Sequence, residues 1–408
     1  MIKEKKMTRC FLLLVVAIQT AFSYTLTLLN NFDDPPILNS TTNIGGVVIK
    51  TSPNEFKMYY NPSPSGTPTQ IMLATSSDGR IWQTMSNLTP ESYGILYGID
   101  YSENGFSGIN IGSHPNNTTM HYRAIVWTDS VKKYTESQNG ANWYNFVNFS
   151  AYDPQGSSWF NTSSHCEPVY QDYPLGNIIY TENATNTGTD WNFRMYYPMT
   201  CYRDTYKREN VPFDINRRDD YIDPSSYCTL AYTAIYVAFS ANGYDWIGYD
   251  MNGSATPIFG PSCGELGNSS DAYEVNNMVV IRNTPTDWEA FYTSLEYMVD
   301  SFSINYATSV DGINWVRSTQ NPLMAANEFA TWRNHNTGTL SVVKTAPNNY
   351  LVYFFGSYNT WLIHSIGLLE FSSDMPVVSP SPEESSPVPS SSATTVSSED
   401  SSDMPIYD

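Results

Sequence analysis

Basic residues are scarce in this chain: 20 Lys and Arg stand against 40 Asp and Glu, which gives a net charge of −20 at pH 7. Such an acidic surface repels nucleic acids and anionic lipid surfaces, which argues against both as partners. The sequence also lacks a long apolar run, because the run over residues 10–18 is shorter than the roughly 20 residues of a membrane-spanning helix. We therefore expect no nucleic-acid partner and no membrane insertion.

The apolar run near the N-terminus has the flanks of a signal peptide. Basic residues precede it, and Ala21 and Ser23 form a small-residue cleavage site. Cleavage after residue 23 would leave 16 basic and 39 acidic side chains, a net charge of −23. We predict a secreted glycoprotein, since nine Asn-x-Ser/Thr sites accompany the signal. They begin at Asn39, Asn87, Asn116, Asn117, Asn148, Asn161, Asn183, Asn252 and Asn268.

A seven-residue pattern, Ser-x-Asp/Asn-Gly-x-x-Trp, occurs four times. Asp-Gly and Asn-Gly supply the positive φ angles of a tight hairpin turn, and the Ser hydroxyl can bond back to the turn amides. Recurrence of one turn predicts an array of similar β repeats. The four copies end at Trp82, Trp143, Trp246 and Trp315.

Two strand-like runs come before each turn in constant order, so the repeat is larger than its turn. Residues 45–50, 278–282 and 340–344 each lead through a short polar turn to an aromatic-rich run. A fourth strand follows most of the Trp residues and ends in a small apolar cluster, at Phe259 and Met324. Five repeats predict an all-β fold, a five-bladed β-propeller with four-stranded blades.

The two ends of the chain depart from the repeats. The N-terminal segment ends in the same apolar cluster, at Leu38, whereas the fifth repeat ends at Phe371 without a fourth strand. We expect the N-terminal segment to supply that strand and to close the ring, which covers an exposed sheet edge. The Ser/Pro/Glu-rich remainder should be disordered. The predicted parts are a signal peptide (1–23), a propeller (24–371) and a disordered tail (372–408).

Cysteine is rare: the chain has five, and Cys10 lies in the predicted signal peptide. In an oxidising secretory route the other four are expected to form two disulfides, for which the sequence alone permits three pairings. Cys201 and Cys228 flank one insertion in the third repeat, and Cys166 and Cys263 precede the third and fourth repeats. The repeat pattern therefore predicts the pairs Cys201–Cys228 and Cys166–Cys263.

Acidic residues gather in the loops that lead into the first strand of each predicted blade. In a propeller these loops form one mouth, where a ligand site is expected. The first blade is an exception, because its loop carries Asn39 and Asn43 and no acid. The candidates are Asp100 in blade 2, Glu167 and Asp172 in blade 3, Asp271 and Glu274 in blade 4, and Arg333 and His335 in blade 5.

The segments MYYN…IMLATSSDGRIW and INYATSVDGINWVRSTQNPLM resemble those of the five-bladed glycoside hydrolase clan, which includes arabinanases, xylosidases, invertases and related phosphorylases. The resemblance covers residues 24–371 and lies in structural turns. It implies a blade 1 Asp as base or nucleophile, a blade 2 Asp as modulator and a blade 3 Glu as general acid, because glycosidic cleavage needs two carboxyl groups. Asp100 and Glu167 match the second and third of these positions. The first has no Asp, and Glu274 or Asp271 would have to substitute for it.

We therefore predict a secreted carbohydrate-active protein that engages a glycan or polysaccharide at the mouth. Its catalytic candidates are Asp100, Glu167, Asp172 and Glu274, and its ligand-binding candidates are Asp271, Arg333 and His335. The alternative is a catalytically inactive lectin-like or structural surface or coat glycoprotein, which the missing blade 1 Asp favours. We expect a monomer without a cofactor; a structural calcium ion could suit the acidic loops, but no ligand spacing specifies one.

Overall fold

The computed structural model describes the chain in segments, and all structural statements below concern these residues. They lie in the first of the two parts into which the chain divides, Met1–Met375. Strands and turns make up the described residues, which confirms the expected all-β class, and none of them forms a helix able to cross a membrane. The segments are 26–28, 37, 43–62, 72–84, 107–111, 122–128, 131–140, 143–148, 150–152, 166–168, 177–181, 184–202, 231–249, 257–262, 274–296, 301–325, 336–357 and 364–373.

Repeats 1, 2 and 5 each form a separate antiparallel sheet of four strands. The fourth strand of repeat 5 is the N-terminal strand β1 (Leu26–Leu28), which pairs with the last strand of the chain. Repeat 1 contains β2 (Asn43–Ser52), β3 (Glu55–Pro62), β4 (Met72–Ser76) and β5 (Gln83–Thr84); repeat 2 contains β6 (Ser107–Ile111), β7 (Tyr122–Thr128), β8 (Val131–Ser137) and β9 (Trp143–Asn148); repeat 5 adds β21 (Asn336–Ala346), β22 (Asn349–Ser357) and β23 (His364–Ser373).

Repeats 3 and 4 share one sheet of eleven strands. A parallel pairing of Thr233 with Glu274 joins the two repeats. Repeat 3 contains β11 (Cys166–Pro168), β12 (Asn177–Tyr180), β13 (Phe193–Tyr202), β14 (Ala231–Ser240) and β15 (Asp245–Gly248), with β10 (Ser150–Tyr152) beside β15; repeat 4 contains β16 (Glu274–Thr284), β17 (Asp287–Glu296), β18 (Ser301–Ser309), β19 (Trp315–Arg317) and β20 (Met324–Ala325).

The four predicted turns share one geometry, and the predicted roles of their Gly and Ser residues are confirmed. In each, the amide of the turn glycine donates to the Ser hydroxyl, and the glycine has a positive φ angle that other residues rarely adopt. The N–H···Oγ distances are 2.9 Å for Gly79 and Ser76, 2.8 Å for Gly140 and Ser137, 2.8 Å for Gly243 and Ser240 and 2.9 Å for Gly312 and Ser309, with φ angles of 75°, 73°, 87° and 73°.

Three of these turns also bind the repeat that precedes them. A tyrosine hydroxyl on the second strand of one repeat donates to the carbonyl of the turn glycine in the next. The distances are 2.6 Å from Tyr59 to Gly140, 3.1 Å from Tyr196 to Gly312 and 2.7 Å from Tyr353 to Gly79. The last bond connects repeat 5 with repeat 1.

Much of the core lies between neighbouring repeats, where aromatic and aliphatic residues of adjacent repeats pack together. One cluster joins repeats 3 and 4, and it includes Tyr196, Ile235, Val280 and Trp288. A second cluster joins repeats 4 and 5 and takes in Leu26 of the N-terminal strand. A third joins repeats 5 and 1. The aromatic strands are thus packing surfaces between repeats.

The apolar clusters that end the repeats dock in the same way. Each donates a backbone N–H to an isoleucine carbonyl on the third strand of a sheet. The pairs are Ile258 with Ile235 at 2.9 Å, Leu323 with Ile304 at 2.8 Å, and the N-terminal Ile37 with Ile366 at 2.9 Å. The N-terminal segment thus occupies in repeat 5 the place that an internal segment occupies in repeats 3 and 4.

The first strand of repeat 3 is divided in two. Both β11 and β12 pair with β13, where the partners of β11 end at Met199 and those of β12 begin at Tyr196. Pro198 lies between the two paired stretches, and proline has no N–H to donate to a ladder. The sequence analysis placed Glu167 in the loop that leads into blade 3; its backbone is in fact part of the strand β11.

Candidate functional site

The first strands of the repeats contact one another in sequence: β2 with β6, β6 with β12, β12 with β16, β16 with β21 and β21 with β2. Their starting ends are therefore the natural place for residues of different repeats to meet. A register shift lies close to the start of the first strand in repeats 1, 2, 4 and 5. Such bulges re-aim the chain and often occur beside functional sites.

Glu274 is the first residue of β16 and lies at this end. The residue as a whole keeps some surface exposure, but its carboxyl group is largely enclosed, and Asn276, on the same strand, donates its side-chain amide to the carboxylate. Burial raises the pKa of Glu274 to about 7, although the hydrogen bond from Asn276 acts in the opposite direction. A substantial share of this carboxyl group is therefore protonated near neutral pH, when it can donate a hydrogen bond or a proton.

Asn277 follows at the bulge with an exposed side chain and a φ angle of 43°, in a region that residues other than glycine seldom occupy. Asparagine tolerates this conformation better than most side chains. The two adjacent asparagines thus have different roles: Asn276 bonds Glu274, and Asn277 adopts the positive φ angle at the bulge.

Glu167 and Glu274, two of the predicted carboxylates, lie in one row across the sheet. In this row Glu167 pairs with Thr200, Thr200 with Thr233, and Thr233 with Glu274. Three strand spacings separate the two glutamates, roughly 14 Å along the sheet. We call these four residues the glutamate row. In this row, acidic residues of two repeats occupy equivalent positions along the strand direction.

A second polar group lies on the same end of repeats 4 and 5. The amide of Thr339 donates to the Thr293 hydroxyl at 2.8 Å, and both side chains are buried. The Thr339 hydroxyl has no hydrogen-bond partner among the described residues. Buried hydroxyls normally find a partner, so among the described residues the Thr339 hydroxyl on β21 is the group at this end that is still able to bond.

A buried network joins the second and third strands of repeat 4. The Asn305 side-chain amide donates to the hydroxyls of Ser294 at 2.6 Å and Ser303 at 3.0 Å, and those hydroxyls lie 3.0 Å apart. All three side chains are buried. A satisfied network of this kind fixes the strands on which β16 and Glu274 rest.

Most other predicted site residues cannot be placed. Asp100, Asp172, Asp271, Arg333 and His335 lie outside the described residues, as do Cys228 and Cys263. Cys166 and Cys201 are described as backbone positions on β11 and β13. The predicted disulfide pairs and ligand residues therefore stay predictions. Among the described residues, no three His, Cys, Asp or Glu side chains come together as a metal site would require.

The sequence did not single out Asn276, Thr233 or Thr339, which the fold brings to this site. Asn276 carried a signal, because it stands two residues after Glu274 and residues at that spacing share one face of a strand. The two threonines carried none, since Thr is common in any strand.

Two solved structures share this arrangement of strands. One is described as a complex of BT0996 with RGII; it matches with a TM-score of 0.51 and 12% identity over 85% of this chain and 90% of that protein. The other, described as "Glycoside hydrolase", matches with a TM-score of 0.51 and 11% identity over 87% and 91%. The chain has the fold of the propeller glycoside hydrolases.

At this level of identity, the likeness concerns the fold and not the substrate. No protein-family model and no curated protein matches the chain. The expected resemblance to glycoside hydrolases is confirmed at the level of the fold.

Proposed function

We propose that the chain is a secreted five-bladed β-propeller that binds a glycan where its first strands begin. In this proposal the blades have four strands, and the N-terminal strand completes the last one. The cyclic contacts of the first strands and the pairing of β1 with β23 support this architecture. The signal peptide and the N-linked glycans belong to the same proposal, and both rest on the sequence.

The observation that carries the glycan site is the glutamate row, in a fold shared with glycoside hydrolases. Sugar hydroxyl groups both donate and accept hydrogen bonds, so a binding site needs groups of both kinds. A protonated Glu274 donates to a sugar oxygen, and a second acidic residue of the row, for which Glu167 is the candidate, would accept from sugar hydroxyls. The acidic composition suits a neutral ligand, since it disfavours anionic ones.

Hydrolysis is the second candidate function, and the carboxyl group of Glu274 favours it. A general acid must keep its proton near the working pH, and burial raises the pKa of Glu274 to about 7. The paired carboxyl groups of glycosidases are about 5 to 9.5 Å apart, however. The path along the sheet from Glu167 to Glu274 covers three strand spacings and is not a separation of the two carboxyl groups, so the row supports binding, and the mutant kinetics below decide whether the two residues share a catalytic step.

The test uses the secreted chain on an array of immobilised glycans and with the corresponding aryl glycosides. We expect binding to one glycan class, weakened about tenfold or more by Glu274→Gln and by Glu167→Gln, which corresponds to about 1.4 kcal/mol each. Glu55→Gln is the matched control, because Glu55 starts β3 at the opposite end of the repeat and its side chain is half exposed.

Each outcome has a distinct meaning. Turnover of an aryl glycoside that disappears in Glu274→Gln identifies a hydrolase, and binding without turnover identifies a lectin-like protein. Absence of both contradicts the proposal and favours a structural surface or coat glycoprotein.

A further inference from the structure

Cys166 and Cys201 occupy directly opposite positions in the ladder between β11 and β13. Their Cα atoms are register partners, one step from the pair formed by Glu167 and Thr200. We propose that Cys166 and Cys201 form a disulfide that ties β11 to β13, with Cys228 and Cys263 as the second pair. This pairing differs from the one that the repeat pattern predicts.

The backbone geometry carries the proposal. Directly opposite residues of an antiparallel ladder have Cα atoms about 4.5 to 5.5 Å apart. A disulfide requires Cα atoms about 4.4 to 6.8 Å apart, so this pair needs no movement of the backbone. No rearrangement of either strand has to accompany the bond.

The other side of Cys201 offers no cysteine. There β13 pairs with β14, and the residue opposite Cys201 is Tyr232. Cys228 precedes the first residue of β14 by three positions, so the ladder between β13 and β14 does not place it opposite Cys201. Of the possible partners of Cys201, Cys166 is the one that the described ladders bring to it.

The bond forms by oxidation of two thiols, which lose two protons and two electrons. The acceptor is a disulfide of a thiol–disulfide oxidoreductase, which is reduced to two thiols in the exchange. The expected secretory route supplies enzymes of this class. The disulfide rests on the secretion that is part of the proposed function but not on the glycan site, so a failed disulfide test and a failed glycan test are distinguishable.

The bond would be significant for a very short strand. Three residues of β11 make three ladder positions, and eight residues separate Pro168 from Asn177, where pairing with β13 resumes. A covalent link at Cys166 holds β11 on β13 and thereby fixes the register of Glu167 opposite Thr200 in the glutamate row. On this view the disulfide positions a site residue in addition to stabilising the chain.

Trypsin distinguishes the pairings on the full, unreduced protein. Free thiols are blocked with N-ethylmaleimide, N-glycans are removed, and the digest is analysed by mass spectrometry. Cys166 falls in the peptide 134–194, Cys201 in 195–203, and both Cys228 and Cys263 in 219–282. We expect 134–194 linked to 195–203 alone, and 219–282 unlinked but lighter by two hydrogens. Either other pairing would join all three peptides, and that result would overturn the proposal.

A single substitution gives an independent measurement. Cys201→Ser removes the proposed partner of Cys166 and leaves the Cys166 thiol free. N-ethylmaleimide should therefore label the peptide 134–194 and no other peptide. Cys228→Ser is the matched control, which should expose Cys263 and leave the link between 134–194 and 195–203 intact. Label on 219–282 in Cys201→Ser, or free thiols at both Cys166 and Cys201 in the unmodified protein, would contradict the proposal.

Discussion

Glu274 keeps a proton in the folded chain at pH values where an exposed glutamate has lost it. Burial raises its pKa to about 7 from the ordinary 4.5. Between these values the folded state binds more protons than the unfolded state, so stability falls as the pH rises. The contribution is fully present below pH 4.5 and is lost as the pH passes through about 7. Ionisation of Glu274 thus destabilises the folded state. The protonated form, which the fold favours, is the one that can donate a proton.

The Glu274→Gln variant should remove this dependence, because a glutamine side chain is neutral at every pH. We expect the unfolding free energy of the unmodified protein to fall by at most about 3 kcal/mol from Glu274 between pH 5 and 8. Urea unfolding at several pH values, with Glu55→Gln as the control, measures the difference. An equal pH slope in Glu274→Gln and in the unmodified protein would show that Glu274 ionises normally.

Gly312 is required both by its backbone angle and by what lies beside it. Its φ angle is 73°, and a Cβ atom there would come within 2.7 Å of the Tyr196 hydroxyl and 2.8 Å of the Arg194 guanidinium. Gly188 has a φ angle of 57° with nothing within 4 Å. Replacing each by alanine separates the conformational cost from the steric cost.

We expect Gly188→Ala to lower the unfolding free energy by about 1 kcal/mol, the cost of a left-handed conformation. Gly312→Ala should lower it by about 1 to 2 kcal/mol more, since Tyr196 or Arg194 must also move. Denaturant unfolding of the two variants measures this difference. Equal losses would mean that the contact adds nothing.

At the scale of elements, the bond between a tyrosine of one repeat and a turn of the next is the recurrent link between sheets. Tyr353 and Gly79 make this bond between repeats 5 and 1. Tyr353→Phe should cost about 1 to 2 kcal/mol, because the substitution leaves a buried carbonyl without its donor. Thermal unfolding compares this variant with Tyr60→Phe.

Tyr60 suits that comparison because it is buried as well, and its hydroxyl makes no hydrogen bond within the described segments. Its substitution should change the stability by a few tenths of a kcal/mol at most. If Tyr353→Phe changes the stability no more than Tyr60→Phe does, the bonds between turns and tyrosines do not hold the repeats together.

The four turns that the sequence predicted correctly are local elements. Ser309 to Trp315 contains all the groups that form its turn, so a single heptapeptide specifies it. In contrast, β11 exists only through a partner more than 30 residues away and has three residues, too few for a periodic pattern. The glutamate row was equally hidden, since it depends on one parallel pairing between repeats. Glu274 was identified because it is acidic and precedes a strand, and its partners were not.

At the scale of the whole molecule, the N-terminal strand is the part on which the last sheet depends. Leu26 is buried among residues of repeats 4 and 5, and its backbone amide donates to Gln320 at 2.8 Å. A chain that begins at residue 30, behind a replacement signal peptide, should lose at least about 3 kcal/mol and expose a sheet edge. Scanning calorimetry and size-exclusion chromatography would detect a lower melting temperature and association of the chains.

Removal of residues 376–408 is the control for this truncation. The predicted tail contributes no apolar pattern, so its deletion should leave the melting temperature unchanged. A melting temperature that falls more on removal of the tail than on removal of the N-terminal strand would refute this account of the two ends.

The interruption of the first strand in repeat 3 has a consequence for how the chain can vary. Because β11 and β12 are anchored separately on β13, the connection between Pro168 and Asn177 can change in length on either side of Asp172 without a shift in either register. Elsewhere in a first strand, an insertion would turn the following side chains to the opposite face. This segment is therefore a point at which natural variation can accumulate and where a peptide tag or a fluorescent label can be inserted.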